Sequence, residues 1–186
     1  MEKIYKHIAL TLKELRQKNG WSLDKAAQAT GVSKAMLGQI EREESSPTIA
    51  TLWKIASGFQ TSFSSFLEEI HNDFNKPVYR TGQTQNLHPD DAKIKVLPLF
   101  PFDSQLNFEI FIIELLPGCE HLSPPHEPGV IEHVIVIEGA MEVLVNGVWQ
   151  PLLNGEGLRF TANQAHGYRN LSPQIAKIHD MIHYPR

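Results

Sequence analysis

Residues 22–41, SLDKAAQATGVSKAMLGQIE, leave this chain few ways to fold. Ala26 and Ala27 are small enough for a second helix to cross the segment Ser22 to Thr30 closely. Gly31 suits the left-handed backbone that a residue with a side chain adopts only at a cost, so a tight turn is predicted there. Val32, Leu37 and Ile40 then recur at helical spacing and pin the second helix by one face. Lys34, Ala35, Gly38 and Gln39 are left on the other face, which is short, polar and uncluttered. Such a face fits a DNA major groove. An ordinary αα-hairpin uses the same glycine turn.

The flanking residues extend the helical pattern. Ile4, Ile8, Leu12 and Leu15 form one apolar stripe that Asn19-Gly20 ends. Glu43 to Ser46 read as a polar loop, after which Pro47 and Thr48 open a helix with Leu52, Ile55, Ala56 and Phe59 inward. A last short helix follows Ser62, with Phe63, Phe66 and Leu67. Five helices are therefore expected in an all-α domain over residues 1–70. Residues 71–91 are polar, turn-rich and without helical period, which places a linker at 71–77.

From residue 78 to 186 the pattern is all-β. KIKVLPLF, NFEIFIIELL, VIEHVIVIEG, MEVLVN, VWQPLL, GLRF, HGYRN and AKIHDMIH are short apolar or alternating runs divided by Gly, Pro and Asn. Asn146-Gly147 is a strong hairpin signal, and the even spacing of the runs suggests a sandwich or closed barrel. NFEIFIIELL is apolar on both faces, so it is expected to be covered twice, by the core and by a second subunit.

Two small domains agree with 186 residues, and 41% apolar with 20% charged residues is an ordinary soluble composition. No apolar run reaches ~18 residues, so no membrane span is expected. The charged N-terminus lacks a signal-peptide pattern, and the lone Cys119 fits a reducing cytoplasm. The net charge of −4 argues against an indiscriminate polyanion binder. Residues 1–40 nevertheless carry seven Lys/Arg against three acids, while residues 71–186 carry eight against thirteen. The positive end holds the two-helix motif, where attraction to phosphate is useful.

TLKELRQKNGWSL, GVSKAMLGQIE and SPTIATLWKIA, within residues 10–60, resemble the lambda-repressor-type (XRE) helix-turn-helix domain. Residues 118–170 are similar to the two motifs of cupins, whose fold is a double-stranded β-helix barrel. The combination resembles the bacterial XRE–cupin transcriptional regulators, and within them regulators of sulphur utilisation. What this implies is a non-enzymatic regulator that binds a double-stranded DNA operator and senses a small molecule, sulphur-related in its nearest members. By position, the family's base-reading side chains fall on Ser33, Lys34, Ala35 and Gln39. Ser22, Arg42 and Thr48 fall where phosphates are held. Simple N-capping explains Ser22, Ser33 and Thr48 equally well, and the two roles are compatible.

The second half departs from its family's pattern. His126 fits the first histidine of the first motif, Pro128 stands where the second belongs, and Glu132 and Gly139 fit the rest. In the second motif Gly155, His166 and Asn170 fit, while Thr161 and Asn163 replace the usual proline and glycine. The implied ligand set is His126, Glu132 and His166, able to hold Zn, Ni, Fe or Mn. The same residues also read as a hydrogen-bonded polar cluster in an effector pocket with Phe160 and Tyr168. Alternation puts His133 on the face opposite Glu132 and excludes it as a ligand. His179, His183 and a loop residue, His121, are candidates to complete the set.

Two function classes follow: a homodimeric regulator joined through its cupin barrels, and a metal-dependent cupin enzyme tethered to DNA. The complete groove-reading face and the depleted ligand set favour the regulator. An antitoxin-like partner binder is a weaker third reading.

Overall fold

The computed structural model describes residues 2–67 and 93–185, so the linker expected at 71–77 lies outside the described residues. The chain divides into two units, residues 1–71 and 72–186. Among the described residues no helix is long and apolar enough to cross a membrane.

The first unit holds α1 (Glu2–Lys18), α2 (Leu23–Thr30), α3 (Lys34–Glu41) and α4 (Ile49–Gly58), followed by a 3-10 turn, Phe63–Phe66. The expectation of five helices is corrected here: the last element is a single 3-10 turn of four residues. Ser62 precedes it in extended conformation but caps no backbone N–H, and only Phe63 and Phe66 drive it inward. The other starts are capped as the residue types dictate. Ser22, Ser33 and Thr48 each accept a bond from the N–H three residues on, at 3.2, 3.2 and 3.1 Å.

Gly31 ends α2 at φ 67° and donates its N–H to Ala27 O, so the chain turns into α3 within three residues. Ala26 is fully buried, Leu37 and Ile40 turn α3 inward, and Ile8, Leu12, Leu52 and Ile55 are buried in the same unit. Arg16 near the end of α1 reaches Glu41, the last residue of α3, through Nε–Oε1 at 2.6 Å and Nη2–Oε2 at 2.8 Å. Its Nη1 donates to Trp21 O at 3.0 Å. This fork fixes the C-terminal end of α3 on α1.

Among the described residues the second unit holds nine strands: β1 (Ile94–Asp103), β2 (Phe108–Leu115), β3 (Cys119–Ser123), β4 (Ile131–Glu138), β5 (Ala140–Val145), β6 (Val148–Leu153), β7 (Gly157–Thr161), β8 (His166–Asn170) and β9 (Ala176–His183). They form two sheets, in the orders β1-β2-β9-β4-β7 and β3-β8-β5-β6. Every pairing is antiparallel. Among the described residues β1 is an edge strand, which suits Pro98 and Pro101, and its register breaks around Phe100. Asn146-Gly147 makes the β5–β6 turn with both residues at positive φ, 53° and 76°.

β3 corrects the sequence reading, which left His121 in a loop. CEHLS contains no β-branched or aromatic residue, yet it pairs with β8 along its length. Strand pairing, not local propensity, makes it a strand. The inner faces of both sheets supply the core, led by Phe111, Leu115, Val134, Val136, Val143 and Ile178.

Candidate functional site

On α3 the residues left by the core are presented outward: Ser33, Lys34, Ala35, Met36 and Gln39 are all exposed. Gly38 is the exception on that face. It is buried, and a Cβ there would meet Arg42 Nη1 at 3.2 Å and Leu23 Cδ1 at 3.6 Å. The surface between α2 and α3 is a shallow depression lined by Leu23, Lys34, Ala35, Gly38, Gln39 and Arg42. Lys34 Nζ pairs with Asp24 Oδ2 at 2.8 Å, and Arg42 is forked onto Glu44 at 2.9 and 2.7 Å. Both pairs are more than half exposed, so water and salt screen them. Either cation can exchange its carboxylate for a phosphate. Ser22 is exposed and Thr48 half-buried at the starts of α2 and α4, where unpaired N–H groups favour anions.

In the β unit, the period-2 alternation of β4 sends Glu132 inward with Val134 and Val136, while His133 lies on the outer face. His166 and Tyr168 point inward from β8. His126 sits in the loop before β4, held to the opposite connection by its N–H donating to Ala162 O at 2.8 Å. The structure brings these residues together. His126 Nε2 lies 2.9 Å and His166 Nε2 3.3 Å from Glu132 Oε1, and all three residues are buried. The Tyr168 hydroxyl donates to the other carboxylate oxygen, Oε2. Phe160, which pairs with Glu132 in register, closes one side 5.4 Å from the His166 ring.

Two details bear on what this cluster can hold. Glu132 Oε1 is buried, and the Nε2 atoms of His126 and His166 both converge on it. His166 Nδ1 lies 3.0 Å from Gln164 O, which fixes its proton there and leaves the Nε2 lone pair facing inward. The three donor atoms lie within 4.8 Å of one another. A buried carboxylate oxygen with two imidazole nitrogens converging on it is a donor set that suits a divalent transition metal. The residues therefore fit a metal with open positions.

Electrostatically the site is uneven. Burial by itself raises the Glu132 carboxyl, but the adjacent His126 and His166 more than offset it and hold it well below the usual range. Burial lowers the His166 imidazole, and the Glu132 carboxylate more than compensates, so its net shift is upward. The Tyr168 hydroxyl is pushed well up by burial and by the charges of Asp180 and Glu132.

Two candidates for a fourth ligand are displaced. His179 and His183 alternate with buried Ile178, Asp180 and Ile182, so they occupy the outer face of β9. His121 is inward-facing and in register with Tyr168, yet it is not among the converging donors. Among the described residues no fourth His, Cys, Asp or Glu joins the three. Sequence reasoning missed Asp180 and Glu109, both buried inside the same unit. Each stands in phase with the apolar residues of its strand, which was the available signal.

Comparison with known proteins agrees with both halves. A helix-turn-helix family model matches residues 12–66 and a cupin-domain model residues 111–182. The chain is 50% identical over 186 residues, all of its length and 99% of the other, to the HTH-type transcriptional regulator SutR of Escherichia coli (strain K12). It is 24% identical over 170 residues, 90% of this chain and 89% of the other, to the HTH-type transcriptional regulator PuuR of the same organism. A crystal structure of an HTH_3 family transcriptional regulator from Vibrio cholerae superposes with a TM-score of 0.85 at 46% identity, over 99% of this chain and 98% of that one. The chain belongs to the XRE family of DNA-binding transcriptional regulators that join a helix-turn-helix domain to a cupin domain.

Proposed function

We propose that this chain is a one-component, effector-responsive regulator that binds a palindromic operator as a homodimer. The observation that carries the reading is the outward face of α3, held rigidly by two caps and the Arg16–Glu41 fork. Gln39 offers a bidentate amide to adenine, Lys34 donates to guanine or phosphate, and Ser33 and Ala35 contact neighbouring base edges. Ser22, Arg42 and Thr48 hold the backbone and set the register.

The outer face of the five-stranded sheet supports dimerisation. Ile110, Ile112 and Met181 are only half-buried there, and Ile135 and Ile137 are 36% and 39% exposed. A second copy on that face covers them and sets two reading helices about 34 Å apart, in successive major grooves. A small molecule bound among His126, Glu132, Phe160, His166 and Tyr168 shifts DNA affinity only by its differential affinity for the two arrangements of the dimer. The 50% identity to SutR supports a regulatory role, and a sulphur-related effector is the ligand class the family resemblance favours.

His126, Glu132 and His166 would hold a divalent transition metal, which supplies a Lewis-acid anchor for an electron-pair donor of the effector. The same donor set favours a second reading, a metal-dependent cupin enzyme with an accessory DNA-binding domain. The regulator is preferred because an enzyme has no use for an operator-reading face. Elemental analysis of untagged protein should find a stoichiometric transition metal. Less than about a tenth of an equivalent, with no gain on adding Zn, Ni, Fe or Mn, removes the metal from the account.

Selection from random-sequence DNA with the full chain tests the main reading. It should enrich two half-sites related by a two-fold axis about one helical turn apart. Enrichment of no sequence at all would end it.

A further inference from the structure

Strand β8 delivers two polar side chains to the interior of the β unit: His166 and, two residues on, Tyr168, 2% and 4% exposed. The strand belongs to the four-stranded sheet, whereas Glu132 stands on β4 in the five-stranded one. The Tyr168 hydroxyl nevertheless donates to Glu132 Oε2, so the bond crosses from one sheet to the other. It is the carboxylate's other oxygen, Oε1, on which His126 Nε2 and His166 Nε2 converge. The two oxygens of Glu132 are thus divided between a phenol and the imidazole cluster.

Tyr168 is itself firmly placed. β8 lies between β3 and β5, and Tyr168 is in register with His121 on one side and Val143 on the other. Its ring meets the His166 ring edge-on, with centroids 6.0 Å apart and planes at 76°. A ring held by neighbours on both sides gives its hydroxyl little freedom to leave the acceptor. A phenylalanine would fill the interior equally well, as Phe111 does on β2. What the hydroxyl adds is the bond to Oε2.

Two roles are open to that bond. It ties the two sheets together, or it fixes which oxygen of Glu132 is free for a cation. The surroundings favour the second. Among the described residues no lysine or arginine is buried, so no fixed positive charge competes for Glu132. His166 is oriented in the same manner: its Nδ1 lies 3.0 Å from Gln164 O, which turns Nε2 toward Oε1. Metal-binding imidazoles and carboxylates are held in this way, by a hydrogen bond at the atom that does not face the metal. Without the hydroxyl, Oε2 would be a buried oxygen lacking a donor, and a bound cation is the partner it would then take.

We propose that Tyr168 is a positioning residue for a divalent metal held by His126, Glu132 and His166: its hydroxyl reserves Oε2 and leaves Glu132 one oxygen, Oε1, to offer. The position that Oε2 would otherwise take on the metal stays open for the effector. This rests on the reading of the three residues as a metal site and adds the residue that sets how Glu132 binds.

The test titrates the full chain, freed of metal with EDTA, with Co(II) and follows the visible absorption. A second carboxylate oxygen on Co(II) raises its coordination number, which shifts and weakens the visible band. Tyr168→Phe should bind Co(II) about tenfold or more weakly than the wild type, with a shifted and weaker band. A variant that loses thermal stability without metal, yet keeps the wild-type band and affinity, makes the bond a tie between sheets and overturns the proposal. If the variant does not fold, a crystal structure of the zinc-loaded wild type decides. Zinc on Oε1 with Tyr168 still on Oε2 is expected, and zinc on both oxygens overturns the proposal. A wild type that takes up neither metal removes the metal reading, and the proposal with it. A wild type that binds Co(II) beside an unaltered variant removes the proposal alone.

Discussion

Replacing Glu41 by Gln removes the charge from the fork that ties α3 to α1 while keeping the side chain's shape. Arg16 makes two bonds to Glu41, at 2.6 and 2.8 Å, and one to Trp21 O at 3.0 Å. The paired side chains are 18% and 9% exposed, so water screens them little. Breaking a fully buried ion pair costs about 3–5 kcal/mol, and an exposed one under about 1 kcal/mol. This pair is nearer the buried limit, and the amide still accepts one bond from Arg16, so the loss should be about 2–3 kcal/mol. In a helical unit of this size each kcal/mol lowers Tm by about 4–8 °C, giving a fall of roughly 10–20 °C. Circular dichroism at 222 nm reads it directly, because the helices lie in the first unit. Glu44→Gln is the control: its pair with Arg42 is more than half exposed, and Tm should move by no more than about 2 °C. Equal shifts in the two variants would refute the claim that burial makes the Arg16–Glu41 fork the stronger tie.

Two further substitutions probe the packing and the buried acids. Gly58→Ala places a Cβ 2.6 Å from both Ala29 O and Thr30 Cα, backbone atoms that cannot step aside. It should cost about 1–3 kcal/mol despite alanine's better helix propensity, and a rise in Tm would contradict the close crossing of α2 and α4. Asp180→Asn tests the burial of charge. Burial raises the Asp180 carboxyl well above its ordinary 3.8, and the facing Glu132 on β4 and Glu109 on β2 act in the same direction. Folding therefore takes up a proton above about pH 4, so the wild type loses stability as pH rises toward the folded pKa. The buried Tyr168 hydroxyl on β8 is itself raised well above 10.0 and stays neutral across that range. The Tm of Asp180→Asn should gain on the wild type between about pH 5 and pH 8. A difference that shrinks over that interval would sink the argument.

The helical unit was legible because its boundaries are written in residue chemistry. Serine or threonine at positions 22, 33 and 48 and glycine at 31 mark starts and a stop that need no tertiary contact to recognise. Its last element was overread, since Phe63 and Phe66 give a hydrophobic spacing that suits a single 3-10 turn equally well. In the β unit, alternation assigned Glu132 and His133 to their faces, and the structure has them so. Strand β3 escaped because its inward residues are Cys119, His121 and Ser123, whose types carry little strand preference. The buried Asp180 escaped for a different reason. AKIHDMIH was read for its histidines, while the alternation that puts His179 and His183 outside puts Asp180 inside. That Asp180 then meets Glu109 and Glu132 depends on the strand order β2-β9-β4, which one sequence does not encode locally.

The central claim is that the exposed face of α3 chooses the DNA site, and Gln39→Ala measures it most directly. Affinity is determined on the selected operator and on a set of single-base-pair variants, at one fixed salt concentration. The account predicts a loss of about 1–3 kcal/mol on the operator and relaxed selectivity at one base pair per half-site, with non-specific binding unchanged. An equal loss on every sequence, operator and variants alike, would make Gln39 a phosphate contact and contradict the assignment of α3 as the reading helix.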